Sequence, residues 1–247
     1  AERREDVESS AATLADHVRT EQDAPARLLA ALTDRPEVDP FERLDAATDA
    51  LTRAFDPVNG GWGTAPKFPQ AMAIEYLLRE HLRTGAKEPR LVAERTLDAM
   101  ADGGIYDHLG GGFARYSTDA RWLVPHFEKM LYDQAMLVFA STEAWLATRN
   151  PVFERTTREI VTYVLRDMTD ARGGFYSAED ADSEGREGVF YVWTAQQIQT
   201  ALPADTAQRF MDAYGVTVQG NFEHGTSILY AREPYSETLA DARKVLT

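Results

Sequence analysis

Apolar residues recur at helical spacing along most of the chain, which predicts a mainly α-helical protein. A first apolar run, from Val7 to Val18, precedes a proline-bearing stretch that ends at Pro40. Asp39 can cap a helix whose first turn holds Pro40, and the apolar face of that helix extends to Phe55. The same reasoning predicts further helices over about 70–83, 89–102, 126–147, 151–169, 194–202 and 205–214.

Two segments between these helices have no helical period. Residues 103–125 contain five glycines among aromatic and charged residues, and a long irregular segment in a compact domain is usually functional. The segment Gly173–Trp193 is predicted to form a small β-hairpin, with Phe175-Tyr176 on one arm and Val189 to Val192 on the other.

A short pattern of two glycines and an aromatic residue occurs three times, at Gly60-Gly61-Trp62, Gly111-Gly112-Phe113 and Gly173-Gly174-Phe175. One interpretation is that the glycines end helices and the aromatic residue anchors the next segment. The other is a series of helical hairpins whose connecting loops gather at one end of the domain.

Composition narrows the class of protein. Hydrophobic residues make up 44% of the 247 residues and the formal net charge is −14, which disfavours nucleic-acid binding and anionic membrane surfaces. The chain has no cysteine, and no apolar run approaches the ~18 residues of a membrane span. We expect a cytoplasmic protein, because the chain shows neither a membrane span nor the apolar core of a signal peptide at its start. We expect no cofactor and no metal, because no phosphate loop, nucleophile elbow, dinucleotide fingerprint or zinc-type histidine pair occurs.

The densest group of chemically active residues lies between Gly103 and Ala135. Saccharide sites combine flat aromatic faces with carboxylates and amides, and this segment supplies that mixture. His126, Lys129 and Asp133 are predicted on one helix face, with Glu128 and Tyr132 on a neighbouring one. Each residue also has a structural interpretation: a helix-start hydrogen bond for His126, solvated charge for Glu128 and Lys129, turn chemistry for Asp107-His108, and core packing for Trp122. The candidate catalytic residues are Asp107, His108, His126, Asp180 and Asp182, and the candidate substrate-binding residues are Lys67, Tyr106, Arg115, Tyr116, Asp119, Trp122, Lys129, Tyr132, Asp133 and Glu179.

A second group is the acidic segment 179–187. Asp180, Asp182, Glu184 and Gly185 match the opening of a calcium loop, but Tyr191 stands where a bidentate Glu is expected. The alternatives are a solvated hairpin tip and acids that point into a saccharide-sized cleft.

Three long motifs resemble the YyaL-like family of thioredoxin domain-containing proteins. They are Gly60 to Pro69, Gly103 to Ala135, and Gly173 to Glu184 followed by Gly188 to Trp193. The resemblance implies a thioredoxin-like domain followed by an (α/α)6 toroid similar to those of six-hairpin glycosidases and N-acylglucosamine 2-epimerases. A six-hairpin toroid needs about twelve helices, whereas about eight are predicted in this chain. The chain therefore resembles part of a toroid, with a linker segment at 1–38 and a partial toroid domain at 39–247.

The resemblance implies carbohydrate processing or binding. Two chemistries fit. Glycoside hydrolysis would use a pair of carboxylates, Asp107 or Asp119 with Asp180 or Asp182. Epimerisation would use His108 or His126 as the base, and an enolate would be stabilised by Lys67, Arg115 or Lys129. The alternative is a non-catalytic scaffold or client-binding module that works with a thioredoxin-like domain. The expected partners are a saccharide or sugar derivative, the remaining toroid hairpins and that domain, with no nucleic acid and no membrane.

These hypotheses make two structural predictions. A saccharide site requires that the loops around Tyr106, His126 and Glu179 converge on one cavity. An incomplete toroid should also expose an apolar edge where further hairpins would pack.

Overall fold

The computed structural model describes residues 8, 10–15, 39–233 and 235–247. The chain divides into two compact units, Ala1–Ala46 and Ala47–Thr247. Most of the predicted linker segment 1–38, including the boundary at 38, lies outside the described residues. From residue 40 onward, the α-helices are α1 (Pro40–Ala54), α2 (Ala71–Thr84), α3 (Lys87–Asp102), α4 (Leu131–Thr148), α5 (Pro151–Asp167), α6 (Ala195–Ala201), α7 (Ala204–Tyr214) and α8 (Ala240–Leu246).

Short and long connections alternate along the second unit. Two-residue turns join α2 to α3, α4 to α5 and α6 to α7, so each of these pairs forms a helical hairpin. Gly85, in a left-handed conformation, ends α2, and Asn150 caps α5 through the amide of Val152. A capping box between Thr194 and Gln197 begins α6, as the sequence predicts. The long connections follow α1, α3 and α5, and we name them the first, second and third connections.

Six two-residue strands lie in the second and third connections and form three antiparallel pairs. Strand β1 (Tyr116–Ser117) pairs with β2 (Pro125–His126), and β3 (Lys129–Met130) pairs with β4 (Ala178–Glu179). Strand β5 (Asp182–Ser183) pairs with β6 (Arg186–Glu187) to form the tip of a small hairpin.

The three glycine–aromatic repeats occupy equivalent places in the three long connections. In each, the aromatic residue makes an antiparallel bridge to a residue just after the preceding helix: Phe55 with Trp62, Tyr106 with Phe113, and Thr169 with Phe175. An aspartate follows that bridge residue each time, at Asp56, Asp107 and Asp170. The repeat is therefore a structural unit of helix end, aspartate turn and aromatic return.

Consecutive long connections also pair with each other through their backbones. Lys67 of the first bridges Ser117 of the second, and Lys129 of the second pairs with Glu179 of the third. Trp193, at the end of the third, bridges Ser227. These contacts place the long connections side by side, which favours the interpretation of hairpins whose loops gather at one end.

Two main clusters of apolar residues form the core of the second unit. Helices α2 to α5 surround the first, in which Ile74, Leu77 and Leu137 are fully buried. The second lies among α6, α7 and α8 around Ile198 and Phe210. The mainly α prediction is confirmed.

Two details of the predicted elements are wrong. The fourth helix begins at Leu131 rather than near His126, because residues 125–130 are extended and pair with other strands. His126, Lys129 and Asp133 therefore do not share a helix face. The small hairpin near 173–193 exists, but its paired residues are 182–187 rather than the two predicted arms.

The hairpin helices α2, α4 and α5 carry exposed apolar residues. Tyr132, Phe139 and Leu146 lie seven residues apart on α4, and each is more than half exposed. Residues at this spacing share one helix face. Leu82 on α2 and Leu165 on α5 are also exposed. These exposed residues agree with the expectation of an apolar edge, which stays a prediction.

Gly112 tests the packing of the second connection against α5. Its φ is +81°, and an added Cβ would lie 2.6 Å from Cδ1 of Tyr163. Gly173 is a matched control, since its φ is +88° and an added Cβ would meet no atom within 4 Å. We expect Gly112→Ala to lower the free energy of unfolding by about 2 kcal/mol more than Gly173→Ala, in urea denaturation. Equal losses in the free energy of unfolding would show that the ring of Tyr163 can move away from the added Cβ without destabilising the protein.

Candidate functional site

A cavity of about 770 Å³ opens among the second connection, the third connection, α5 and the C-terminal segment. Five of the predicted site residues line it: Tyr106, Asp107, His108, Lys129 and Glu179. Other polar and aromatic residues of its wall are Phe127, Tyr163, Arg166, Asp167, Phe190, Tyr191, Trp193 and Gln197.

A buried ion pair forms part of this wall. Nζ of Lys129 lies 2.8 Å from Oδ2 of Asp107, and donates a second hydrogen bond to the carbonyl of Gly111 at 3.0 Å. The other carboxylate oxygen of Asp107 accepts the amides of Leu109 and Gly110. Burial alone would raise the pKa of Asp107, but Lys129 and these amides together hold it below its usual value.

Two tyrosines hold the carboxylate of Glu179. Tyr163 donates its hydroxyl to one oxygen, and Tyr191 donates to the other at 2.8 Å. The same rings face Lys129, whose Nζ lies 4.3 Å from the ring centroid of Tyr163 and 4.8 Å from that of Tyr191. Burial, followed by the nearby carboxylate of Glu179, raises the pKa of both tyrosines, so both remain protonated donors at neutral pH.

His108 lies where the large cavity meets a smaller one of about 40 Å³. Its Nε2 is 2.9 Å from the carbonyl oxygen of Gly103, a contact that requires the proton on Nε2 and leaves Nδ1 unprotonated. Burial lowers its pKa to about 4, so the ring is neutral at pH 7. Tyr106 packs edge-on against this ring and donates its hydroxyl to Glu159.

Five other candidates form a separate cluster outside the lining of the cavity. The side chain of His126 does not line it, although its neighbours Pro125 and Phe127 do, because successive side chains of a strand point to opposite faces. The ring of His126 stacks on Tyr116 at 4.9 Å, and its Nδ1 lies 2.8 Å from Glu187. The predicted members of this cluster are Arg115, Tyr116, His126, Tyr132 and Asp133.

Asp133 is the carboxylate of that cluster, and its hydrogen bonding is incomplete. Its Oδ2 is buried without a hydrogen-bond partner among the described residues. Burial raises its pKa to about 6, and Glu128 adds to the effect while Arg115 opposes it. Arg115 itself donates to Glu128 at 2.9 Å.

Three predicted binding residues have structural partners away from the cavity. Lys67 is fully buried, lies 2.7 Å from Asp56 and stands over the ring of Trp122. Trp122 is itself buried and donates its indole proton to the carbonyl of Asn59. Asp119 accepts the backbone amides of Arg121, Leu123 and Val124, so it closes a turn.

The acidic segment forms an exposed hairpin beside the cavity wall. Asp180 and Asp182 are exposed and neither lines the cavity, while Glu179, one residue earlier, does. Among the residues that the structure describes, no group of three or more histidine and acidic side chains could hold a metal ion. The proposed carboxylate pairs of Asp107 or Asp119 with Asp180 or Asp182 do not share the cavity.

Sequence reasoning missed most of the aromatic wall. Tyr191, Phe190 and Trp193 lie in the segment predicted to form a hairpin. Tyr163 and Arg166 lie on the helix predicted over 151–169, where the sequence predicted no functional residue. The one signal available was the aromatic density of residues 190–193, which is higher than a solvated hairpin needs.

The hairpins and the clustered loops are those of an (α/α) toroid, the fold of known sugar epimerases. A sugar epimerase from a ruminal bacterium superposes with a TM-score of 0.50 at 14% sequence identity, over 81% of this chain and 50% of that one. Cellobiose 2-epimerase from Spirochaeta thermophila gives a TM-score of 0.50 at 20% identity, over 56% of this chain and 39% of that one. At these identities the likeness concerns the fold alone.

Among curated proteins, the chain is similar to spermatogenesis-associated protein 20. It is 36% identical to the mouse protein over 88% of this chain, and 38% identical to the human protein over 78% of this chain. An uncharacterized Caenorhabditis elegans protein, B0495.5, is 38% identical over 60% of this chain and 22% of its own length. The chain spans 32% of the mouse protein and 28% of the human one. No family model matches the sequence. Among the described helices, none has both the length and the apolar character of a membrane span.

The neutral His108 predicts a loss of stability in mild acid. Its folded-state pKa of about 4 lies below the ordinary value of 6.5, so the unfolded chain takes up the proton first as the pH falls. Stability that is fully present above pH 6.5 is therefore lost between about 6.5 and 4. We expect the loss in free energy of unfolding between pH 6.5 and 4 to be about 1–3 kcal/mol smaller for His108→Gln than for the wild type, as measured by urea denaturation at each pH. An unchanged pH dependence would contradict this assignment.

The ion pair of Lys129 and Asp107 predicts strong coupling between the two residues. Lys129→Met leaves a buried carboxylate without its cation, so we expect it to destabilise the protein by about 3–5 kcal/mol. Asp107→Asn in the same chain should recover part of that loss, because the uncompensated charge is then absent. Urea denaturation of the single and double variants measures the coupling, and strictly additive losses would contradict the direct interaction.

Proposed function

We propose that this chain is the toroid portion of a YyaL-like thioredoxin domain-containing protein and that its large cavity binds carbohydrate. The observation that supports this most is the composition of the cavity wall. Aromatic rings from Tyr163, Tyr191 and Trp193 stand beside the carboxylate of Glu179 and the amide of Gln197. Sugars present apolar C–H faces and hydroxyl edges, and this wall offers a partner for each.

The size of the cavity agrees with a saccharide occupant. Its volume of about 770 Å³ lies within the range of roughly 300–1,000 Å³ that is usual for sites of small organic ligands. The fold is similar to that of proteins named as sugar epimerases, and these names indicate saccharide substrates. This similarity supports the same class of ligand here.

The electrostatics favour binding over acid–base catalysis in this cavity. Hydrolysis of a glycoside needs a carboxylic acid with a raised pKa, whereas the pKa of Asp107 is lowered. Epimerisation needs a base with a pKa near neutral, whereas burial lowers the pKa of His108 to about 4. We therefore assign recognition, rather than proton transfer, to Asp107 and His108.

The non-catalytic scaffold is the second candidate. The pairing of the cavity's charged groups with one another, as in Lys129 with Asp107, is what a purely structural role would require. The exposed stripe of Tyr132, Phe139 and Leu146 offers a surface for a protein partner. Carbohydrate binding and client binding differ in whether free saccharides stabilise the protein.

A saccharide screen on the purified protein tests the proposal. Glucose, mannose, N-acetylglucosamine and cellobiose should include at least one ligand that raises the unfolding temperature, because a ligand of the native state must stabilise it. Calorimetric titration of that saccharide should then show saturable binding. The absence of stabilisation by all four would support the scaffold.

A cavity-filling variant locates the binding. Val189 lines the cavity and is half-buried, so Val189→Trp should fill part of the space and abolish the binding. Val218, which is 77% exposed and does not line the cavity, provides the control Val218→Trp, which should bind as the wild type does. Equal binding by both variants would place the saccharide elsewhere.

A further inference from the structure

Phe190 is an exposed aromatic residue in the wall of the large cavity. It is 70% exposed, although a phenylalanine ring gains free energy from burial. Its neighbour Tyr191 is fixed by stacking on Phe127 at 5.7 Å and by the hydrogen bond to Glu179. Phe190 meets Tyr191 edge-on, with ring centroids 5.2 Å apart and planes at 85°, a contact that leaves most of the ring surface uncovered.

The lining also indicates the charge of the occupant. Its acidic side chains are Asp107, Asp167 and Glu179, and its cationic side chains are Lys129 and Arg166. Both cations already have partners, since Lys129 binds Asp107 and Arg166 binds Asp167. A phosphate or carboxylate group would enter a wall in which carboxylates outnumber cations, whereas sugar hydroxyls can donate to carboxylate oxygens, which keep free lone pairs.

We propose that Phe190 is the stacking platform of the cavity and that the occupant is an uncharged pyranose, whose apolar face packs on the ring while its hydroxyls point to the carboxylate-bearing wall. This inference rests on the proposed function and specifies its ligand. The platform explains why a large aromatic side chain is exposed next to a tyrosine held in place from both sides. It also makes Phe190 a determinant of specificity, because only sugars with a continuous apolar face can use it.

Three variants separate stacking from structure. Phe190→Ala removes the ring and Phe190→Trp retains an aromatic plane. Phe175→Ala is a matched control, because Phe175 is 58% exposed and does not line the cavity. The probes are methyl β-D-glucopyranoside, cellobiose and glucose 6-phosphate, each titrated calorimetrically into the wild type and the three variants. Circular dichroism and unfolding temperature verify that each variant is folded.

We expect Phe190→Ala to weaken the binding of the two uncharged probes by about tenfold, the loss that corresponds to uncovering one face of a phenyl ring. The dissociation constants of Phe190→Trp and Phe175→Ala for these probes should lie within about twofold of the wild-type values. Glucose 6-phosphate should bind the wild type more weakly than either uncharged probe.

The possible failures are distinguishable. If the wild type binds neither uncharged probe nor any saccharide of the screen, the proposed function fails and this inference fails with it. If the wild type binds them and Phe190→Ala binds equally well, only the stacking platform is overturned. If glucose 6-phosphate binds more tightly than the uncharged probes, the assignment of an uncharged occupant is overturned.

Discussion

A buried lysine that binds an aspartate organises two of the three long connections of this protein. In the first connection, Lys67 reaches Asp56 at 2.7 Å, and in the second, Lys129 reaches Asp107 at 2.8 Å. Removing an ammonium from water costs several kcal/mol, so the site must replace the lost hydration. Each lysine also donates to a backbone carbonyl, of Ala120 or of Gly111, and each stands over an aromatic ring. The aspartate in turn accepts the amides of its own turn, so one ion pair fixes two backbone segments.

The backbone of each lysine pairs with the next connection, while its side chain binds the aspartate of its own connection. The side chain of Lys67 also reaches the next connection, at the carbonyl of Ala120. Lys67 exchanges two backbone hydrogen bonds of 2.8 Å with Ser117, and Lys129 pairs with Glu179. Lys129 therefore connects the ion pair of the second connection, through its side chain, with the strand that carries Glu179, through its backbone. Because Lys67 uses the same arrangement outside the cavity, the role of Lys129 is best explained as structural, and recognition is left to the residues around it.

The helices follow from local sequence, whereas the site depends on pairing between distant residues. Periodicity, the stop at Gly85 and the capping box at Thr194 predicted α2 and α6 closely, since these features act within a few residues. The helix predicted from His126 failed because the extended conformation of residues 125–130 is stabilised by partners such as Glu179, fifty residues away. The aromatic wall was missed for the same reason, because Tyr163 and Tyr191 acquire their common role only through Glu179.

The third copy of the repeat differs from the first two in the partners of its aspartate. Asp170 occupies the position of Asp56 and Asp107, but its partners are the exposed Arg172 and the hydroxyl of Tyr176 rather than a buried lysine. The third connection still returns to its own helix end, where Thr169 bridges Phe175. It then continues through β4 to the aromatic residues 190–193, which line the cavity. The second connection thus supplies the charge-neutralised pair of Lys129 and Asp107 to the cavity, and the third connection supplies the aromatic wall against which the proposed ligand would pack.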